Sequence, residues 1–260
     1  MHRDDHTIAS MRRTRQDEQK KKSASPPRRE LLVDEQDLQY YSSEEPEFLI
    51  QKVKSPCAAP GKLNSHPSRL ASLKNDISSY LFEYLGGFHI PTHFVRRESS
   101  DEAMVRRLES IPLRLRVLNY TFGDFAERFS MHEGSPLFFP VIEYYQDTPS
   151  TGVQWLNESH IYSFGILTPD EFRQVNRLAT KANAVLRSLC DRRKLMLLGL
   201  HIGFGRNQEQ FYLNGHLSPA SCFIWDTAAD NGVRRNRFMT NGSGSEEVYQ
   251  ELLDRLSGKV

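Results

Sequence analysis

The chain has 260 residues, enough to bury one substantial core split between two lobes, and its 38% hydrophobic and 26% charged content is ordinary for a soluble globular protein. Lys and Arg number 34 against 33 Asp and Glu, and a net charge of +1 excludes a global field that would draw in nucleic acid or an anionic membrane. The longest apolar runs, residues 195–200 and 136–142, are too short to span a bilayer.

Residues 1–30 form a separate regime. The start, Met1-His2-Arg3-Asp4-Asp5, is charged and lacks the apolar middle of a secretory signal, so a cytoplasmic location is expected. Arg12-Arg13-Thr14-Arg15, Lys20-Lys21-Lys22 and Pro26-Pro27-Arg28-Arg29 leave almost nothing to bury, which predicts a disordered basic arm with no specific nucleic-acid partner. The three cysteines, Cys57, Cys190 and Cys222, contain no C-x-x-C pair and read as free thiols.

From Leu31 the texture changes. Residues 38–41 and 48–53 are apolar-aromatic runs on either side of Ser42-Ser43-Glu44-Glu45-Pro46, a hairpin pattern, and residues 55–67 read as a loop. Leu70, Leu73, Ile77, Tyr80, Leu81 and Tyr84 share one face of a helix over 70–85 that Gly86-Gly87 would end. A short strand at Phe94-Val95 and a helix over 101–108 are expected next. Arg114 and Arg116 alternate with apolar residues in a half-buried strand over 113–120. A second amphipathic helix spans 169–190 behind Thr168 as N-cap. Residues 195–204 and 211–217 flank a polar turn at 206–209, a second hairpin, and a helix over 246–256 closes the chain. Strands and helices do not strictly alternate, so the fold class is α+β.

Residues 77–94, ISSYLFEYLGGFHIPTHF, resemble the segment of SAICAR synthetases in which a helix of the kind "NNxIS…LFexL" leads to "GIPTHF". The resemblance continues through MVRRLESIPLRL at 104–115, Asn157-Glu158, the 168–190 helix, Phe204-Gly205, Ser218-Pro219, Trp225-Asp226 and Arg237-Phe238, with YSSEEP at 41–46 upstream. It is collinear over about residues 31–256. It implies a kinase-like, β-rich N-terminal lobe (31–112), an α/β C-terminal lobe (113–260), and an active site in the cleft between them. The family joins aspartate to a carboxylated aminoimidazole ribotide with ATP and magnesium, in purine synthesis.

Against that pattern the chemical positions are exchanged. The family's "GKAK" falls on Glu35-Gln36-Asp37-Leu38, and no lysine lies between Leu31 and Gln51. "SAxDG" meets Ala58-Ala59-Pro60-Gly61. The phosphate-gripping "vRNxxAGS" meets Val117-Leu118-Asn119-Tyr120-Thr121-Phe122-Gly123-Asp124, which keeps Asn119 and Gly123 but puts a carboxylate where the serine stood, in need of a cation such as Arg128. "vDFKLEFG…DEiSPD" meets Gly199, His201, Gly203, then Gly215, His216, Ser218, Pro219 and Ala220. Hard magnesium wants carboxylate oxygens, and neither strand supplies one. The "HDPM" aspartate is replaced within Thr151-Gly152-Val153-Gln154-Trp155. Glycines in place of carboxylates predict a roomier, less acidic pocket.

His201 and His216 occupy family catalytic positions. They could act as general acid and base, or as half of a zinc or iron site with Cys222 as a distant third ligand; the alternative is two polar residues satisfied by backbone. Asp226, Tyr120 and Asp124 rank next, a cap being the structural alternative for Asp226. Trp155 and Phe223 could stack on a base, though core packing is the commoner explanation for such residues. The expected catalytic set is therefore His201, His216 and Asp226. The expected substrate-binding set is Asn119, Tyr120, Gly123, Asp124, Arg128, Ser218 and Trp155, with no resident metal or cofactor.

Three functions follow from the resemblance. The first is a repurposed enzyme acting without ATP on a purine or imidazole ribotide, of the kind expected in nucleoside natural-product pathways that make coformycin- or pentostatin-type purine analogues. The second is a catalytically dead homologue serving as a binding or scaffold subunit. The third is an ordinary ATP-dependent SAICAR synthetase. The partner is a small nucleotide or ribotide, no membrane is expected, and a homodimer is left open.

Overall fold

The computed structural model describes residues 29–35, 37–54, 68–148, 152–228, 235–239 and 244–259. Two antiparallel sheets carry the fold. The first has the order β1-β2-β3-β5-β4, from β1 (Leu31–Asp34), β2 (Leu38–Ser42), β3 (Phe48–Val53), β4 (Phe94–Arg97) and β5 (Glu102–Arg106). The second has the order β10-β9-β6-β7-β8, from β6 (Glu109–Tyr120), β7 (Pro136–Thr148), β8 (Gly152–Leu156), β9 (Leu195–Asn207) and β10 (Gln210–Asn214), and β11 (Cys222–Asp226) adds to β9 beside β10. A single parallel bridge, Thr92 to Leu213, stitches one sheet to the other.

The first hairpin forms as its pattern predicts, with Leu38 opposite Val53 and Ser42 opposite Leu49. Residues 101–108 do not form the expected helix. Their Glu, Ala, Met and Arg are good helix formers, but β5 pairs with β3 on one side and β4 on the other, and Ala103, Met104 and Val105 are buried in succession. Two-sided pairing of a buried run outweighs a propensity worth only tenths of a kcal/mol, about 0–0.7 per residue. The long strand β7 was expected only as an apolar run.

Helix α1 (Arg69–Gly87) starts at Ser68, whose side chain accepts from the Ala71 amide, and buries Leu73, Ile77, Leu81 and Leu85. It runs through Gly86 and Gly87 and closes at Phe88. Short helices α2 (Gly123–Arg128) and α3 (Glu158–Ser163) follow. Helix α4 (Pro169–Arg192) has a full capping box, Thr168 with Glu171, and buries Phe172, Val175, Ala179, Ala182, Leu186 and Leu189. Helix α5 (Glu246–Ser257) docks on α1, the Tyr80 hydroxyl donating to the Leu256 carbonyl at 2.9 Å.

The main core joins α1, α4 and α5 to the inner residues of β6 and β9, including Leu113, Leu115, Val117, Leu200, Ile202 and Phe204. A smaller cluster of Leu118, Phe122, Phe125, Leu198 and Trp225 sits beneath α2. Of the expected basic arm, residues 1–28 lie outside the described residues. Arg29 and Glu30 are described and bound to the first sheet, through Glu102 and Ser42. Among the described residues no helix is long and apolar enough to cross a membrane.

Candidate active site

Because strand side chains alternate, burying Leu113, Leu115 and Val117 forces Arg114 and Arg116 to the other face of the second sheet. On β9 the same alternation puts His201 there, opposite Arg116, with Gly203 opposite Arg114.

Arg116 is the centre of this face. Its side chain is only 7% exposed and it binds two carboxylates at once. It donates from Nη1 to Asp124 Oδ1 at 2.6 Å, from Nη2 to Asp124 Oδ2 at 3.2 Å, and from Nε to Glu143 Oε2 at 2.8 Å. Arg128 completes the ring through Glu143 Oε1 and lies 3.5 Å from Asp124. The expected partner of Asp124 is therefore secondary: Arg116 holds the Asp124 carboxyl below its ordinary range, with Arg128 assisting. Trp155 covers both guanidinium groups, 4.8 Å from Arg116 and 5.1 Å from Arg128, so its face is given to cations.

His201 stands beside this network. Its Nδ1 shares a 3.1 Å hydrogen bond with the Tyr145 hydroxyl, its ring meets Phe223 edge-on at 5.0 Å, and its Nε2 is buried with no hydrogen-bond partner. Burial, then the charges of Arg116 and Arg114, pull its pKa down to about 4, so the ring is neutral at pH 7. His216 has different neighbours. Burial, then Lys74 and the His93 ring, lower its pKa to about 3, and its Nε2 likewise lacks a partner. The two histidines are linked through Ser221: the His201 amide donates to the Ser221 carbonyl, and the Ser221 hydroxyl donates to the His216 carbonyl.

Of the three glycines expected to enlarge the pocket, Gly215 has nothing within 4 Å of a Cβ, but Gly199 and Gly203 leave no room. A Cβ on Gly199 would lie 2.6 Å from the Val117 carbonyl oxygen and 3.0 Å from the Phe122 ring, and one on Gly203 would lie 2.5 Å from Asn214 Oδ1. Neighbouring groups have taken that space. Gly61 and the rest of 58–61 lie outside the described residues, as do Gln36 and Thr151.

Several expected site residues are used internally. Asn119 exchanges amide hydrogen bonds with Asn183 at 2.9 and 2.8 Å and donates to the Leu197 carbonyl, tying β6 to α4 and β9. Asp226 is buried among Arg255 at 2.7 Å, Arg237 at 2.6 Å and the Ala228 amide at 2.9 Å; burial opposes its ionisation, but these donors hold its carboxyl below the usual range. It anchors the end of β11 to α5. Ser218 closes the turn into β11, its carbonyl accepting from Ser221 and Cys222. Arg187 lies over the Tyr120 ring at 5.6 Å, and Gly123 supplies the left-handed start of α2 at φ +53°. Cys222 faces the main core, where burial pushes its thiol up to about 12. Among the described residues no three His, Cys, Asp or Glu side chains are grouped to hold a metal.

Functional-face residues that the sequence reading passed over are Arg114, Arg116, Glu143 and Tyr145. The alternation of β6 carried the signal for the two arginines; Glu143 and Tyr145 needed the pairing of β7. Where the first sheet meets the second, a cavity of about 160 Å³ is lined by Glu35, Tyr40, His93, Ser110 and Asn214 among others. A larger groove of about 690 Å³ lies between α4 and the β9–β10 turn, lined by residues such as Arg177, Lys181 and Gln208, and contains none of these candidates.

With the geometry in place, comparison with known proteins is informative. The family model described as SAICAR synthetase matches residues 39–256. A phosphoribosylaminoimidazole-succinocarboxamide synthase of Acidithiobacillus ferrooxidans is 31% identical over 217 residues, 83% of this chain and 90% of that protein. One of Shouchella clausii is 32% identical over 220 residues, covering 84% and 92%. The crystal structure of the synthase from Ehrlichia chaffeensis superposes with a TM-score of 0.77 at 27% identity, covering 88% of this chain and 98% of that one. In sequence and in fold, this chain belongs to the SAICAR synthetase family.

Proposed function

We propose that the chain is an enzyme of this family that works on a purine or imidazole ribotide by acid–base chemistry and does not use ATP. The observation that carries the reading is the donor set of the cleft face. Neither β9 nor β10 bears a lysine or a carboxylate, and the two carboxylates beside His201 on this face, Asp124 and Glu143, are bound to Arg116 and Arg128. ATP and magnesium, which the family resemblance implies, do not fit such residues. A hard cation needs several converging oxygen ligands, and no three such side chains are grouped among the described residues; a triphosphate needs several cations, and of the three arginines on this face only Arg114 lacks an ion pair among the described residues.

What the face does offer is a neutral imidazole fixed by a phenol. The Tyr145 hydroxyl orients His201 through Nδ1; with Nδ1–H donating to the phenol, Nε2 is the proton-accepting nitrogen, and because it is buried here it would meet a substrate only once the side chains over it give way. A ring with a pKa of about 4 keeps its proton-accepting form throughout the neutral range and accepts a proton only from an acidic site. Retention of a ribotide-type pocket is the feature that would suit such an enzyme to purine-analogue synthesis. The competing reading, an ATP-dependent ligase, is favoured by relatives near 31% identity, which are phosphoribosylaminoimidazole-succinocarboxamide synthases.

A thermal-shift screen over purine and imidazole ribotides should find a stabilising ligand. On the substrate so identified, His201→Ala should cut turnover by roughly 10²–10⁴-fold, the usual acid–base contribution. Parental rates in both His201→Ala and His216→Ala would remove these histidines from the chemistry.

A further inference from the structure

We infer that Arg114 is the anchor for an anion in the cleft, and that the anion is the phosphate monoester of the ribotide; the second clause rests on the function proposed above. Three arginines share this face of the second sheet, and they are not equivalent. Arg116 is saturated by Asp124 and Glu143, and Arg128 is held by Glu143. The Arg114 side chain makes no ion pair and no hydrogen bond among the described residues, although Glu143 stands one register step away on β7.

Its position is specific. Arg114 is opposite Gly203 on β9, and its Nη1 lies 3.5 Å from where a Cβ at that position would be. Asn214 Oδ1 lies 2.5 Å from the same point. The guanidinium therefore rests over Gly203 beside Asn214, and any larger residue at 203 would displace one of them. Asn214 is itself a wall of the 160 Å³ cavity, opposite Tyr40 and Glu35 of the first sheet. The charge of Arg114 reaches both sides of the cleft, since it lowers the pKa of Tyr40 against burial and that of His201. Arg106 also lines the cavity, but lies over the Tyr212 ring at 5.8 Å. Glu35, on the far wall, repels an anion toward Arg114.

A planar guanidinium with unused donors on β6, a neutral imidazole one strand over on β9, and the Asn214 amide across Gly203 on β10 make a recognition edge for a tetrahedral oxyanion. The bound phosphate would fix the ribotide with its ring toward His201. Arg114 is on this account a binding residue, with no role in proton transfer.

Calorimetric titration of the full-length chain with inorganic phosphate, inosine 5′-monophosphate and inosine tests this. Arg114→Ala should weaken phosphate and the monophosphate by about 10- to 100-fold and leave inosine unchanged, with Arg114→Lys intermediate because it loses the bidentate fork. Arg173→Ala, on exposed α4, should change nothing. Equal monophosphate affinity in the parent and Arg114→Ala would overturn the assignment while the ribotide reading stood. Binding of phosphate that depends on Arg114, with no response to either nucleoside compound, would keep the anion site and sink the ribotide as its source. A parent chain that binds neither phosphate nor the monophosphate also overturns it.

Discussion

Arg116 binds two carboxylates of unequal standing. Glu143 has a side chain 13% exposed, whereas that of Asp124 is 54% exposed and can recover solvation in water. Arg116→Leu should therefore cost more, about 1–3 kcal/mol, because it removes the Nε and Nη2 donors of a poorly solvated Glu143 and leaves only Arg128 to neutralise it. Asp124→Asn should cost under about 1 kcal/mol. Urea denaturation of the two variants checks the ranking, and equal losses would show that the network is not centred where the exposures put it. Gly199 gives a second contrast. A Cβ there meets the Val117 backbone oxygen, so Gly199→Ala should lose about 1–3 kcal/mol, while Gly86→Ala, with nothing within 4 Å and a helical backbone, should gain up to about 1 kcal/mol. At this scale the sequence was only partly readable. The exchange of lysines and carboxylates was plain in the one-letter text. Which carboxylate neutralises which arginine was not, because Asp124 and Glu143 come from distant stretches that only strand pairing brings to Arg116.

Among the elements, helix α4 was the most legible: Thr168, Pro169 and Glu171 spell a capping box, and an apolar stripe recurs behind it. Thr168→Ala should cost roughly 0.5–2 kcal/mol and leave ligand binding unchanged, measured by thermal melts with and without ligand. The β9–β10 hairpin was equally clear, since Phe204 and Leu213 are opposite each other as the alternation requires. Segment 101–108 was misread because its local composition favours helix and its burial is decided by β3 and β4, which are not neighbours of both its ends in the text. Strand β7 was missed for a related reason: Pro136, Pro140 and exposed Phe138 and Phe139 break the alternation that would have announced it.

For the whole molecule, collinear motifs made the family readable although single matches were weak, and the two-sheet α+β architecture followed from it. Three histidines, His93 buried and His201 and His216 half-buried, make the stability of the whole pH-dependent. His93, His201 and His216 have folded pKa values of about 4, 4 and 3, each lowered chiefly by burial from an ordinary 6.5. Below that ordinary value the unfolded chain takes up protons that the folded chain refuses. Stability is thus complete above about pH 6.5 and falls as the pH drops toward 4. Melting temperatures should be flat from pH 7 to 8 and decline through that acid window, less steeply in His93→Phe, whose deletion removes one of the three uptakes. A melting temperature constant down to pH 4 would mean that these rings are not held neutral.

The account as a whole turns on whether the cleft has parted with ATP. Calorimetric titration of the full-length chain with MgATP, beside the same titration of the Acidithiobacillus ferrooxidans relative, measures this directly. The donor set of the cleft predicts no magnesium-dependent heat for this chain at millimolar nucleotide; saturable, magnesium-dependent binding in the micromolar range would contradict it and restore the ligase reading.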